Sequence, residues 1–360
     1  MKRKQRAPIF TIWRSGPLLA SAVPFGELTS DGFATMNFFA SRDFLDAAAA
    51  VYFKDRDTAV EDIRIDKDVL RLLVVDGEKA VTRLLFLDYH EPLKASEAKG
   101  HTRKWHFAQR VSRGAIAIDA WEQQGRPPGE LAPLIDWTPF RDFSDYQELL
   151  LQRCHGLTRD RERRGRALEA RHGRLEFTMD DRAPDVFVAA QAWKGSQLRD
   201  KGLPDFFEDP RTLEFLKCLR DRDALTSSTL RAGGRLVALW IGFVHERSWS
   251  GWVFAYDPAL RSFSLGHQLL IRMLKASHQL GHREFDFSVG AQDYKLSYAT
   301  HGRVLGNIGT PSLARAASLT AANILRKHNA RLYARALRAK WNLGAGLRRA
   351  QLFATAADLR

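Results

Sequence analysis

Arg261-Ser-Phe-Ser264-Leu-Gly266-His267 sets small side chains where an apolar strand pattern (248–257) gives way to a helical one (267–280). A helix starting there presents unpaired backbone N–H groups and the positive end of its dipole, which suit a phosphate or diphosphate. Small residues let such an anion reach the amides. Ser and Gly ahead of a helix also describe an ordinary cap, and both readings stand. Further on, Glu284-Phe-Asp286-Phe is a short strand, followed by Gly290 and a short helix bearing Tyr294-Lys295. The lysine there can bind a phosphate. Asp286 and Asp257 are the nearest candidates for a base, with His245 third. Each also has a plainer role: Asp286 on the outward face of a strand, Asp257-Pro258 starting a turn, and His245 on the surface at a strand end.

Other groupings are expected to be structural. Asp88-Tyr-His90-Glu91 gathers titratable side chains after a strand, but they sit too close along the chain to close a metal site, so a polar loop is expected. Cys154 and Cys218 are too few for a disulfide framework or a four-thiolate zinc site, and are expected to be buried small residues in a reducing compartment. No metal is expected. Trp240, Trp249 and Trp252 on adjacent strands are read as sheet-face packing, with sugar stacking as the alternative.

The elements that must hold these residues follow from pattern. Ser41 N-caps a helix, and Val69 to Val75, the turn Asp76-Gly77 and Ala80 to Leu87 read as a hairpin. Lys104 to Phe107 and Gly114 to Ile118 are further strand candidates, with a loop at Gly125 to Gly129. Residues 141–172 form an arginine-rich helix, read as a solvated face. Residues 185–199 and 211–220 are helical. Strands at 227–232, 235–245 and 248–257 then precede helix 267–280, whose apolar face carries Leu269, Leu270, Met273 and Leu274. Strand 284–289, helix 292–299 and strand 302–309 complete an α+β layer pattern.

That order carries a resemblance. Thr226 to Gly309 resembles the GNAT acyltransferase superfamily, whose acyl-CoA loop reads Gln/Arg-x-x-Gly-x-Gly/Ala between a strand and a helix. Arg261, Ser264 and Gly266 stand at its marked positions, with Ser264 in place of the first Gly. A longer stretch, 140–310, is similar to the CelD-like acetyltransferases associated with cellulose biosynthesis. Trp193-Lys194, Gln197, Arg199 and Gly202 come first, then Tyr256-Asp257-Pro258 and Ser264-x-Gly266. Glu284-Phe-Asp-Phe-x-x-Gly290 then leads into Tyr294-Lys295.

The resemblance implies an α+β fold of two GNAT-like halves, each a mostly antiparallel sheet flanked by helices. Residues 1–160 would be a degenerate N-terminal half and 161–310 the acyltransferase domain. It implies acyl-CoA, acetyl-CoA above all, as co-substrate and a sugar, polysaccharide precursor or related cell-envelope acceptor for N- or O-acylation. A backbone amide at Phe254, Ala255 or Tyr256 would hold the thioester carbonyl, while Arg261, Ser264, Leu265, Gly266 and His267 would bind the cofactor. Tyr294 would be the acid, with Lys295, Asp286 and Asp257 completing the catalytic set. Two alternatives share the pattern: a Fem-like transferase using aminoacyl-tRNA, and a silent scaffold in a polysaccharide synthase complex.

With 360 residues, two domains are expected. Apolar residues at 45 % and charged residues at 27 % exclude a disordered chain or a fibre. No apolar run is long enough to cross a bilayer, and the basic start Met1 to Pro8 reads as a loose terminus of a cytoplasmic protein. The net charge is +14, but residues 311–360 carry ten Lys and Arg against Asp358 alone, so the excess is local and no DNA partner is expected. Residues 324–343 have the spacing of a basic amphipathic helix, expected either to dock on its own domain or to touch a membrane surface or synthase partner.

Overall fold

The computed structural model describes residues 38–93, 101–102, 107–125 and 130–311, with isolated positions beyond. The segment 324–343 lies almost wholly outside the described residues. Helix α1 (Arg42–Tyr52) begins where the Ser41 side chain accepts the Phe44 N–H at 3.2 Å, and it buries Phe44, Leu45, Ala47, Ala48 and Val51. Strands β1 (Thr58–Ile65) and β2 (Asp68–Val75) pair antiparallel. With β3 (Lys79–Val81) and the two-residue β4 (His101–Thr102), they make a four-stranded sheet in the order β3-β2-β1-β4.

The expected return strand from Ala80 to Leu87 therefore stops at Val81, and β2 takes β1 as its main partner. Beyond Val81 the chain turns away, with Phe86 at φ 66°, and Leu84 and Phe86 pack on the core of the other half. Burying those apolar side chains outweighs a few more ladder bonds, at roughly 25 cal/mol per Å² of surface removed from water.

The second sheet has eight strands. They are β5 (Phe107–Ala117), β6 (Glu130–Asp136), β7 (Leu175–Thr178), β8 (Thr226–Ala232), β9 (Arg235–His245), β10 (Ser248–Tyr256), β11 (Glu284–Asp286) and β12 (His301–Gly309), in the order β5-β12-β6-β11-β10-β9-β8-β7. Only β10 and β11 are parallel neighbours. Around the sheet run α2 (Ile118–Gln123), α3 (Phe143–His172, non-helical at Cys154), α4 (Asp185–Asp200), α5 (Pro210–Asp221), α6 (Leu265–Gln279) and α7 (Asp293–Tyr298). This is the expected α+β class, with two sheet-bearing halves. The position expected for the boundary, 160/161, falls inside α3, and β5 and β6, which precede it, pair with β12 and β11, which follow it.

Each face of the large sheet has its own core. One, shared with α1, α4, α5 and β2, contains Phe39, Phe44, Phe215, Leu239, Phe243 and Val253. The other lies under α3 and α6 and contains Tyr146, Leu269, Met273, Phe285 and Phe287. Trp240 and Trp249 are buried. Trp252 is sandwiched between Phe86 (5.3 Å, 18°) and Phe39 (6.1 Å, 29°), so none of the three offers a free face to a sugar. Cys154 and Cys218 are only half-buried, contrary to expectation.

Candidate active site

The parallel neighbours β10 and β11 touch only where Ser248–Ser250 face Glu284–Asp286. Beyond Asp286 the chain follows β6, with the Phe287 and Gly290 N–H groups donating to the Pro133 and Leu131 carbonyls (2.9 and 2.8 Å). Pro133 has no N–H to return, so the β6–β11 ladder has no reciprocal bond at the point where β11 ends. Strand β10 instead follows β9 to Tyr256. Antiparallel pairing turns alternate residues toward the partner. Asp257 faces β9, its N–H bonding the Val237 carbonyl at 3.0 Å, and the Phe254 carbonyl accepts from Lys194 Nζ at 3.3 Å instead. Phe254 and Tyr256 thus present their backbone edge to a wedge between β10 and residues 287–290. Ala255 is buried on the α1/α5 side.

The first turn of α6 borders this wedge. Ser264 sits in the left-handed region (φ 55°, ψ 44°), where the motif's usual glycine is favoured, and its side chain does not cap the helix. Its carbonyl accepts from the His267 and Gln268 N–H groups (2.9 and 3.2 Å), so the first two amides, Leu265 and Gly266, have no described partner. Leu265 is buried, and the Phe254 ring leans on Gly266 so closely that a Cβ there would lie 3.0 Å from it. Arg261 is exposed on the preceding 3-10 turn. Helix α3 runs alongside: Arg164 donates to the Ser262 carbonyl (3.1 Å), Arg161 to the Tyr298 hydroxyl (3.0 Å), and Arg171 covers the Phe263 ring. The face read as merely solvated therefore lines this helix start with guanidinium groups. Burial, with Arg161 and Arg272 nearby, pushes the His267 imidazole down to about 4, and the neutral ring meets the Tyr298 hydroxyl.

Two lysines stand on the two arms of the wedge. Lys194, on α4, reaches the β10 arm, and burial with the Lys201 charge lowers its ammonium to about 8. Lys295, on α7 and 7 % exposed, donates to the Ser288 and Val289 carbonyls (3.2 and 2.9 Å). Burial lowers it also to about 8, against the pull of Asp88 and Asp286. Ser288 is the joint of that arm, with φ 63°: its carbonyl takes Lys295 and its hydroxyl donates to Asp88. Burial raises the half-buried Asp88 carboxyl to about 6, the Ser288 bond and the Lys295 charge opposing it. Tyr294 is 44 % exposed, its hydroxyl has no described partner, and desolvation keeps the phenol protonated, at about 12.

Asp286 is not free to act. Its oxygens accept from the Ser288 N–H (2.6 Å), the Tyr89 hydroxyl and Arg303 (3.3 Å). Arg303, fully buried, also lies 2.7 Å from both Glu284 oxygens and 2.8 Å from Glu91. It crosses β6 at Ala132, whose small side chain leaves room. Asp257 is likewise occupied, capping the 258–263 turn through the Ala259 N–H (2.9 Å) and pairing with Arg235. His245 is half-buried rather than on the surface, with Nε2 unpartnered.

The structure thus brings Lys295, the outer edge of Phe254 and Tyr256, and the first turn of α6 around one wedge, leaves Tyr294 exposed on α7 next to Lys295, and commits Asp257 and Asp286 to holding the fold. The sequence reading missed Asp88, Lys194's place on the β10 arm, and Arg303. The expected polar loop at Asp88 to Glu91 is instead a strap to the later part of the chain: Asp88 binds Ser288, Tyr89 binds Asp286 and Glu91 binds Arg303, while His90 meets the nearby Thr82 carbonyl (3.1 Å). Four consecutive titratable residues after an apolar run were the available signal. Among the described residues no cluster of His, Cys, Asp or Glu could hold a metal.

Residues 157–296 match the family described as Acetyltransferase (GNAT) domain. Among solved structures, the C-terminal domain of a putative lysylphosphatidylglycerol synthetase from Agrobacterium fabrum is similar at 13 % identity, over 79 % of this chain and 97 % of that one, with a TM-score of 0.42. The L-PGS structure from Bacillus licheniformis is similar at 12 %, over 78 % and 96 %, with a TM-score of 0.40. FemX is similar at 9 %, over 76 % and 91 %, with a TM-score of 0.46. No curated protein matches the chain.

Proposed function

We propose that this chain, an acyltransferase whose residues 157–296 carry a GNAT domain, moves an acetyl group from acetyl-CoA to an amine or hydroxyl of a sugar-type or related cell-envelope acceptor. One observation carries the reading: β10 and β11 separate after three residues, beside a helix whose first two amides have no described partner. The open β10 edge can take the extended pantetheine arm as one more strand, and the Leu265 and Gly266 amides suit its diphosphate. Arg161, Arg164 and Arg261 add positive charge around that end.

Roles follow from position and protonation. The Phe254 N–H, on the open edge, would hold the thioester oxygen as charge builds on it. Asp88, ionised at neutral pH, would accept the acceptor's proton directly or through one water, with Lys295 holding the acceptor close. Tyr294, protonated and unpartnered, would return a proton to the leaving thiolate. The same proposal puts the reaction in the cytoplasm, peripheral to a membrane if 324–343 engages lipid. No described helix is long and apolar enough to cross one.

Titration calorimetry with acetyl-CoA tests the core of this reading, and thiol release with amine and hydroxyl sugars tests the acceptor. Binding that Gly266→Glu abolishes is the expected result. Folded protein that shows no heat at millimolar acetyl-CoA would falsify the transferase reading, and aminoacyl-tRNA or a silent scaffold role would replace it.

A further inference from the structure

Lys194 has no use in the scheme above, yet its amine occupies the wedge. Its Nζ lies 3.3 Å from the Phe254 carbonyl, on the same residue whose N–H faces the incoming thioester. It makes no ion pair among the described residues, whereas Lys295 is tied to two carbonyls and faces Asp88 and Asp286. The two ammonium groups also repel each other. Of the two amines, Lys194 is the one that can lose its proton and turn toward a carbonyl carbon delivered along β10.

We propose that Lys194 is a self-acetylation site: acetyl-CoA bound in the wedge acetylates its Nζ. This rests on the acyl-CoA reading. The neutral amine attacks the thioester carbon, the N–C bond forms and the C–S bond breaks. The sulfur leaves as thiolate, and the proton shed by nitrogen balances the one the thiolate takes up. Burial favours the neutral amine, its ammonium titrating at about 8. The product is an amide, too stable to pass the group on. It is therefore a covalent mark that removes one positive charge from the wedge and leaves one neutral N–H where the ammonium had three.

The test uses the full chain with acetyl-CoA, mapped by tandem mass spectrometry, with calorimetry on the same preparation. Acetylation at Lys194 is expected about tenfold faster than at the exposed Lys201 and Lys217, since binding holds the reactants together. Excess CoA should suppress it, and Lys194→Arg should lack it while still binding acetyl-CoA. Binding without preferential acetylation of Lys194 overturns this inference and leaves the transferase reading intact. Acetylation that excess CoA does not suppress, or that acetyl phosphate reproduces with the same site preference, also overturns it. Absence of binding removes both.

Discussion

Arg303→Met is expected to cost about 3–5 kcal/mol of stability at alkaline pH and less under mildly acidic conditions. The side chain is fully buried and serves Glu284, Asp286 and Glu91 at 2.7 to 3.3 Å. Methionine fills much of the volume but leaves two buried carboxyls, Glu284 and Asp286, and the half-buried Glu91 without their cation. Removing one partner of a buried ion pair costs about 3–5 kcal/mol, against a typical total of about 5–15 kcal/mol. The pH sense follows from Glu91, whose carboxyl burial already raises to about 7 in the native protein while Arg303 opposes the rise. Without Arg303 it rises further. A carboxyl with a folded pKa above its unfolded one stabilises fully below the unfolded value and loses that contribution as pH climbs through the folded one. The penalty should therefore be largest near pH 8 and smaller near pH 5 by at least about 1.4 kcal/mol, one pKa unit's worth. Urea unfolding followed by tryptophan fluorescence at both pH values measures it. A loss below about 1 kcal/mol, or one equal at the two pH values, would refute the account of the cluster as an ion-paired anchor.

Asp88→Asn should lower turnover by about 10²–10⁴-fold and remove an acid limb near pH 6 from the rate profile. Native activity should be present above that pH and fall as Asp88 protonates below it. Ser288→Ala removes the bond that favours the ionised carboxyl and should move the limb upward; a limb that stays put dismisses Asp88 as the base. Ser264→Gly relieves a left-handed serine and should stabilise the fold by up to about 1 kcal/mol, with tighter acetyl-CoA binding in calorimetry. Arg161→Ala and Arg164→Ala should each weaken that binding about fivefold and flatten its salt dependence; unchanged affinity would assign α3 a packing role alone.

What was legible in the sequence is what neighbours along the chain decide. Strands β8, β9 and β10 are joined by tight turns at Gly233-Gly234 and Glu246-Arg247, so alternation and turn residues were enough. The start of α6 announced itself through Ser264 and Gly266, two residues earlier than the helical pattern alone implied. Strand β6 was missed because Pro133 interrupts it, and β1 because Thr58 to Ile65 is only partly buried and mixes charged with apolar residues. Asp88 was read as loop because its partner, Ser288, lies 200 positions away. The same distance hid Tyr89 from Asp286 and Glu91 from Arg303. No local spacing encodes such pairs.

Strand β12 fits between β5 and β6, which are close in sequence yet do not pair with each other. The strand next to the β5 edge is therefore the last of the sheet's described strands to leave the ribosome. Until residue 309 emerges, β5 and β6 lack the strand that joins them, and their unpaired edges are open to pairing with another chain. Vectorial, half-by-half maturation is closed to this topology. A nascent chain halted shortly before β12 should be a substrate for chaperones and proteases, however complete its first 300 residues.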